Sequence, residues 1–463
     1  MIVAATLLSL LPACADEGEH AVEPILSFLD AETGEDIDSV TIGASGGEKM
    51  VRIASNVDWT AASDAGWVTL ANSSGAPTLP EAAASLKISA SRNGARGGRS
   101  ATVTLSGAQA GKTLVVFQPG ASDTADQGFQ QATAALAQMG NGLNIGNTLD
   151  ANGNWVTSGN PEDYETCWGN PQIAPRLVDT YKEAGVRAVR LPVTWRQHID
   201  DDGNVDARWM ARVRQVVDYV VDAGMYCIVN VHHDCGGGDD AWLRAYQDKG
   251  RFAVAEARFS KLWTNIANEF KDYGDKLLFE GYNEMLDGNL TWTSTNAEGY
   301  AALNRLAQTF VSTVRATGGN NACRNLIVCT YGADAHETSL AAFVLPTDNV
   351  GNHLIVEVHN YTPDEFVAPW AEAKAWDEAY AEQLDDSFAL IDKYLVSKGI
   401  PTLIGEFGCN DNVPQGEQAK YAGHFAMRAA GLGVPCFHWF DLIDRDTCEW
   451  ALPDVLGEIF KQR

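Results

Sequence analysis

Several residues able to move protons or hold charge stand directly after short apolar runs in this 463-residue chain. Arg190 closes Ala188-Val189. His232 and His233 follow Tyr226–Val231. Asn283 and Glu284 come just after Leu277–Phe279, and His359 and Tyr361 just after Val356 and Val358. Glu406 follows Thr402–Ile404, and Trp439 and Asp441 follow Phe437-His438. Runs this short and this rich in Val, Ile and Leu read as strands buried on both faces. If those strands are parallel and closed into a barrel, the residues at their C-terminal ends share one rim. With Asn147, they would give a polar cleft walled by aromatic rings.

Two chemistries use such a set. Metal-assisted hydrolysis needs imidazoles and carboxylates at ligand spacing. His232 and His233 are adjacent, so on a strand they would point to opposite faces, and no metal site is expected. Glycoside hydrolysis instead needs two carboxyl groups facing one sugar. One donates a proton to the leaving oxygen, and the other, ionised, attacks the anomeric carbon or activates water. Neighbouring charges must separate the two ionisations. Glu284 and Glu406 are the strand-end candidates.

The surrounding elements have the periodicities to position them. Trp209, Val213, Val216, Val217 and Val220 recur at helical spacing before Gly224 and the strand Tyr226–Val231. Phe259, Leu262, Trp263, Ile266 and Phe270 repeat the pattern before Gly274. Leu303, Leu306, Phe310 and Val314 do so before Gly318-Gly319, as do Leu384, Phe388, Ile391 and Leu395 before Gly399. Glycine is suited to close each helix. Strands are expected near Leu143, Val189, Val229, Phe279, Val328, Val356, Leu403 and His438. Residues 128–463 are therefore expected to form an α/β (β/α)8 TIM barrel. An open doubly wound sheet is the alternative, but Gly140–Gly146 does not lead into a helix as a phosphate loop would. Residues 24–120 differ: short alternating runs between Gly, Ser and Asn clusters predict a small β-sandwich, with Trp59 and Trp67 in its core. Residues 121–127 read as a polar linker. Trp195, Trp263 and Trp450 are expected in the core; Trp155, Trp168, Trp242 and Trp292 are candidate sugar platforms.

Net charge is −28, with 33 Lys+Arg against 61 Asp+Glu. Such a surface repels nucleic acid and anionic membranes and suits a neutral substrate. Residues 1–13 are apolar but too short to span a bilayer, as in a secretory signal. Leu11-Pro12-Ala13-Cys14 resembles a lipoprotein cleavage box, followed by the acidic Asp16-Glu17-Gly18-Glu19. The expectation for residues 1–23 is a signal and tether, with lipidation at Cys14. Membrane contact would come through that anchor alone, at the outer surface of a Gram-negative bacterium. Eight further cysteines offer the pairs Cys323/Cys329 and Cys409/Cys448, or remain free thiols.

The motifs together resemble glycoside hydrolase family 5. They are Gly142–Asp150, Glu165–Pro171, Val189–Trp195, Val231–Asp234, Phe279–Glu284, Val358–Tyr361 and Ile404–Gly408, in family order. The resemblance implies Glu284 as general acid/base and Glu406 as nucleophile. It implies that Asn283 binds the sugar 2-hydroxyl, that Arg190 pairs with Glu406 and holds it ionised, and that Tyr361 donates to Glu406. His359 would line the nucleophile side, His232 would bind sugar hydroxyls, and Trp439 would floor the reacting sugar, with Trp168 a further contact. Met285 stands where the family usually has Pro, and the segment around Trp439 also departs from the usual pattern. The Gly146–Asp150 and Glu165–Pro171 pair is similar to the branch acting on β-1,4-glucans: cellulose, mixed-linkage glucan or xyloglucan. The implied enzyme is a retaining, endo-acting monomer that needs no cofactor and takes plant β-glucan. A β-mannanase or xylanase, or an inactive surface glycan-binding protein, are the alternatives. Residues 24–119 resemble a BACON domain, an immunoglobulin-like module.

Overall fold

The computed structural model describes residues 23–461, except 44–45, 79–81, 92, 94–98, 119–128, 239 and 373. Cys14 and the 121–127 linker lie outside the described residues. The chain divides into two compact units, residues 1–120 and 121–463.

The first unit is a β-sandwich. Its strands are β1 (Leu26–Asp30), β2 (Ser39–Thr41), β3 (Gly47–Ser55), β4 (Trp59–Ser63), β5 (Val68–Ala71), β6 (Ser74–Gly75), β7 (Ala84–Ala90), β8 (Arg99–Gly107) and β9 (Ala110–Gln118). They form two sheets, ordered β1-β3-β7-β5 and β2-β9-β8-β4-β6. Period-two alternation selects the inner faces: Val51 and Ile53, Leu86 and Ile88, Val103 and Leu105, Leu114 and Val116 share one core. Trp59 is buried there, as its sequence context predicts. Trp67 departs from expectation. It packs against that core but is only half-buried, with the Arg99 guanidinium 4.1 Å from its ring centre on another side.

The second unit is a closed barrel of eight parallel strands. They are β10 (Gly142–Asn144), β11 (Ala188–Leu191), β12 (Tyr226–Asn230), β13 (Leu277–Glu280), β14 (Leu326–Asp334), β15 (Leu354–His359), β16 (Thr402–Phe407) and β17 (Cys436–His438). Pairing of Leu143 with Val189 on one side and His438 on the other closes the ring. The helices between strands are amphipathic. In Ala207–Asp222, the Asp206 side chain caps the start and Trp209, Val213, Val216 and Val220 make the buried stripe. Gly224 follows with φ of 82°, the left-handed region that ends the helix cheaply.

Alternation along the barrel strands sorts side chains into two directions. Val189, Val229, Phe279, Val328, Val356 and Ile404 pack outward with the helices. Their neighbours Ala188, Ile228, Leu278, Ile327, Ile355, Leu403 and Phe437 form a separate apolar floor, closed by Ala132, Ala135, Leu136 and Met139. Two residues further along each strand, the same direction is occupied by Arg190, Asn230, Glu280, Cys329, Glu357 and Gly405. A polar layer thus rests on an apolar plug. None of the eight cysteines among the described residues forms a disulfide, so neither Cys323/Cys329 nor Cys409/Cys448 is a pair.

Gly405 shows how tightly this layer is filled: a Cβ there would stand 1.8 Å from Glu357 Oε1. Gly405→Ala is expected to cost about 1–3 kcal/mol through overpacking, read as a lowered denaturant midpoint with unchanged slope. An unchanged midpoint would show the layer to be looser than described.

Candidate active site

Arg190 rises from β11 into the centre of the barrel and is fully buried. Its Nε and Nη2 donate to Glu280 at 2.7 and 2.8 Å. Nη1 donates to Glu406 Oε1 at 2.7 Å and to Asn144 Oδ1 at 3.0 Å; Nη2 also donates to Asn283 Oδ1 at 2.8 Å. Glu357 Oε1 lies 3.3 Å from Nε. One guanidinium therefore serves three carboxylates. Burial opposes its charge, but Glu280, Glu357 and Glu406 hold its pKa well above the ordinary value.

His359 ends β15 between the two rim glutamates. Its Nδ1 is 3.0 Å from Glu284 Oε1 and 3.5 Å from Glu406 Oε2, and its Nε2 is 3.3 Å from Glu357 Oε1. It thus bridges Glu284 and Glu406 rather than lining the Glu406 side alone. Burial alone would lower its pKa, but Glu406 and the bonds to Glu284 and Glu357 raise it to about 10. It is an imidazolium at neutral pH. Tyr361 donates to Glu406 Oε2 at 2.9 Å. A carboxylate oxygen of Glu284, one of Glu406 and a ring nitrogen of His359 all lie within 4.8 Å of one another.

The electrostatics of Glu406 differ from the sequence-based expectation. Burial pushes its carboxyl above the ordinary value despite His359 and Arg190, and Glu284 adds to the rise. The reason is that Arg190 is shared. Glu280 takes the bidentate face and is held below its ordinary value against burial. Glu357, buried and beside Glu280, is raised to about 7.

His232 and His233 do not point to opposite faces. Their ring centres are 4.5 Å apart, and a ring nitrogen of each lies within 4.8 Å of an Asp150 oxygen and of the other. The strand β12 ends at Asn230, so period-two alternation no longer governs the two histidines. His232 stacks on Trp439, with ring centres 5.5 Å apart and planes 7° apart. Asn283 accepts at Oδ1 from Arg190, so its amide N–H groups are not used in that contact. Asp441 pairs with Arg445.

Among the expected platforms, Trp155, Trp168 and Trp292 are exposed. Trp168 donates its indole N–H to Asn152 O at 2.9 Å, with its ring 5.4 Å from His233. Trp242 is not a platform: its N–H donates to Asp234 at 2.7 Å and Arg258 covers its ring at 4.7 Å. Three of the rings lie on glycine. A Cβ would stand 2.5 Å from Trp155 at Gly153, 2.9 Å from Trp292 at Gly237 and 2.9 Å from Trp439 at Gly146. Trp195 and Trp263 are in the core, and Trp450 is partly buried against Tyr181.

Glu280, Glu357, Asn144 and Asn230 are site residues that reading the strand ends missed. Their signal was present: a carboxylate or amide inside an otherwise apolar strand is costly unless paired.

The family pattern described as Cellulase (glycosyl hydrolase family 5) matches residues 149–441. The BACON pattern, an N-terminal binding domain, matches residues 57–119. Endoglucanase B of Clostridium cellulovorans is 33% identical over 72% of this chain and 77% of its own. A family 5 glycoside hydrolase from Prevotella bryantii B14, solved with a xyloglucan tetradecasaccharide, is 42% identical with TM-score 0.68, covering 72% of this chain and 99% of that one. A broad-specificity endoglucanase from Ruminococcus champanellensis with bound cellotriose is 35% identical with TM-score 0.68, covering 72% and 99%.

His359 makes stability depend on pH. Its folded pKa of about 10 lies above the ordinary 6.5. Its contribution is therefore fully present below about pH 6.5 and is lost as pH rises toward 10. The stability advantage of wild type over His359→Gln, measured by denaturant melts, is expected to shrink across that window. An advantage that grows with pH would contradict an imidazolium.

Proposed function

The chain belongs to glycosyl hydrolase family 5 as an endoglucanase-type enzyme, and we propose that it cleaves β-1,4-glucan backbones internally by double displacement. The observation that carries this is the Glu284–Glu406 pair, whose nearest oxygens come within 4.8 Å of each other across His359. Retaining enzymes keep about 5–5.5 Å between their carboxyl groups, and inverting ones about 6.5–9.5 Å to admit a water.

In this reading Glu406 attacks the anomeric carbon while Glu284 transfers its proton to the departing glycosidic oxygen. The C–O bond to the leaving chain breaks and a glycosyl ester to Glu406 forms. Glu284, now ionised, takes a proton from water, whose oxygen displaces Glu406 and restores the β-anomer. Arg190 and Tyr361 hold Glu406 in place for the attack. Asn283 offers its N–H to the sugar 2-hydroxyl, a contact that strengthens in the transition state. Trp439 floors the reacting sugar and His232 binds a hydroxyl beside it. The relative solved with xyloglucan and the open platforms Trp155, Trp168 and Trp292 favour a long, decorated glucan as substrate. Cys14 as a lipidated residue would hold the enzyme at the cell surface. Palmitate labelling abolished by Cys14→Ser tests that placement, and unchanged labelling rejects it.

Glu406→Ala is expected to abolish hydrolysis of xyloglucan, mixed-linkage glucan and carboxymethyl cellulose. Glu284→Gln should lower kcat on these polymers by about 10²–10⁴-fold. It should spare the first step on dinitrophenyl cellobioside, whose leaving group needs no proton. Proton NMR of early digests should show the β-anomer first. The α-anomer, or polymer cleavage by Glu406→Ala, would reject double displacement.

A further inference from the structure

Asn230 ends β12 in the polar layer, fully buried, with each polar atom of its amide committed. Its Oδ1 accepts from the Val193 backbone N–H at 3.0 Å. Its Nδ2 donates to Glu280 Oε1 at 2.9 Å and lies 3.0 Å from His232 Nδ1. These partners leave the amide one orientation. A backbone N–H can only donate, so it must meet the carbonyl oxygen. An ionised carboxylate can only accept, so it must meet the NH2 group. The NH2 group therefore also faces His232 Nδ1.

That forces a proton position on His232. Two donors cannot face each other, so Nδ1 must carry the lone pair and the ring proton must sit on Nε2. Burial, reinforced by His233 and Arg190, holds this imidazole well below its ordinary pKa, so it stays neutral. The Trp439 ring parallel to it fixes the plane in which Nε2–H points. A hydroxyl meeting that N–H must accept there and pass its own proton elsewhere.

We propose that Asn230 is a positioning residue that locks His232 as an Nε2–H donor, so that the cleft presents a fixed donor to one hydroxyl of the bound glucan. This rests on the glucanase reading for the identity of the ligand. The lock itself rests on hydrogen bonds within the chain. Glu280 gives it a second meaning, because the same carboxylate receives Arg190, which holds Glu406. The hydroxyl donor and the nucleophile are thereby oriented from one anchor.

The test is 15N NMR of the full-length enzyme labelled at histidine, with the His232 signals assigned by their loss in His232→Gln. Wild type near neutral pH should show a pyrrole-like Nε2 and a pyridine-like Nδ1. Asn230→Asp places a carboxylate oxygen against Nδ1 and should move the proton there. KM for cello- or xyloglucan oligosaccharides should rise about tenfold, the scale of one inverted hydrogen bond, and kcat should fall with it, because the same substitution sets a carboxylate against Glu280, which holds Arg190. A protonated Nδ1 in wild type overturns the lock. So does an Asn230→Asp spectrum like wild type, and so does an unchanged KM alongside a moved proton. The wild-type spectrum decides even if the variant fails to fold. It needs no substrate, so a wild type that cleaves no β-glucan would reject the functional reading and leave the tautomer result standing.

Discussion

The barrel interior depends on one buried guanidinium. Arg190 connects β11 to Asn144 on β10, Glu280 on β13, Asn283 beyond β13, Glu357 on β15 and Glu406 on β16. A cation taken from water into a protein core is costly unless carboxylates and hydrogen bonds replace its solvation. Here they do, and the arrangement needs a planar fork. A lysine ammonium at this position could neutralise charge but could not hold Glu280 bidentately while reaching Glu406 and Asn283. At Glu406 burial outweighs Arg190 and His359 and keeps the carboxyl above its ordinary range, whereas Glu280, which has the bidentate contact, is held below its own. His359 adds a second buried cation from the other side, in contact with Glu284, Glu357 and Glu406.

Much of this was legible in the sequence, for a definite reason. The rim residues stand at the ends of apolar runs, and a parallel barrel turns those ends into one face, so Arg190, Asn283, Glu284, His359, Tyr361, Glu406 and Trp439 could be named before any coordinates. The eight strands were equally readable, since most are short apolar runs and several follow a helix closed by glycine, as Tyr226–Asn230 follows Gly224. Two kinds of feature were not. Glu357 lies inside β15 and Glu280 closes β13 four residues before Glu284, so attention to the residues beyond the apolar runs passes over both. The alternation Ile355-Glu357-His359 nonetheless marks one direction, and continuing it would have placed Glu357 beneath His359. The histidine pair failed differently: alternation was applied to His232 and His233, but the strand had stopped at Asn230.

Aromatic residues show what sequence position alone does not decide. Trp155, Trp242 and Trp292 all sit in loops beyond strand ends, yet Trp242 is spent on Asp234 and Arg258. Three of the rings have glycine against them: at Gly153, Gly237 and Gly146 a Cβ would strike the indole of Trp155, Trp292 and Trp439, so each of these rings needs glycine where the backbone approaches it. In the sandwich the same reasoning points the other way. Trp59 has its ring against Gly75 but is buried, so its surface goes to the core and none is offered to a ligand.

The two halves of the cleft are therefore built by different means. The reacting groups are held by bonds among barrel strands and their immediate ends, where any change disturbs several partners at once. The outlying platforms stand on loops, Trp155 and Trp292 against a glycine and Trp168 through its hydrogen bond to Asn152. Energetic coupling between them is small wherever they share no partner. Loop substitutions can then alter which glucan is gripped without moving Glu284 or Glu406, while substitutions in the polar layer alter the reaction for every substrate. The exceptions are His232 and Trp439, which stack on each other and reach Glu280 through Asn230. At that point sugar recognition and the charge network meet, and a change there must act on both.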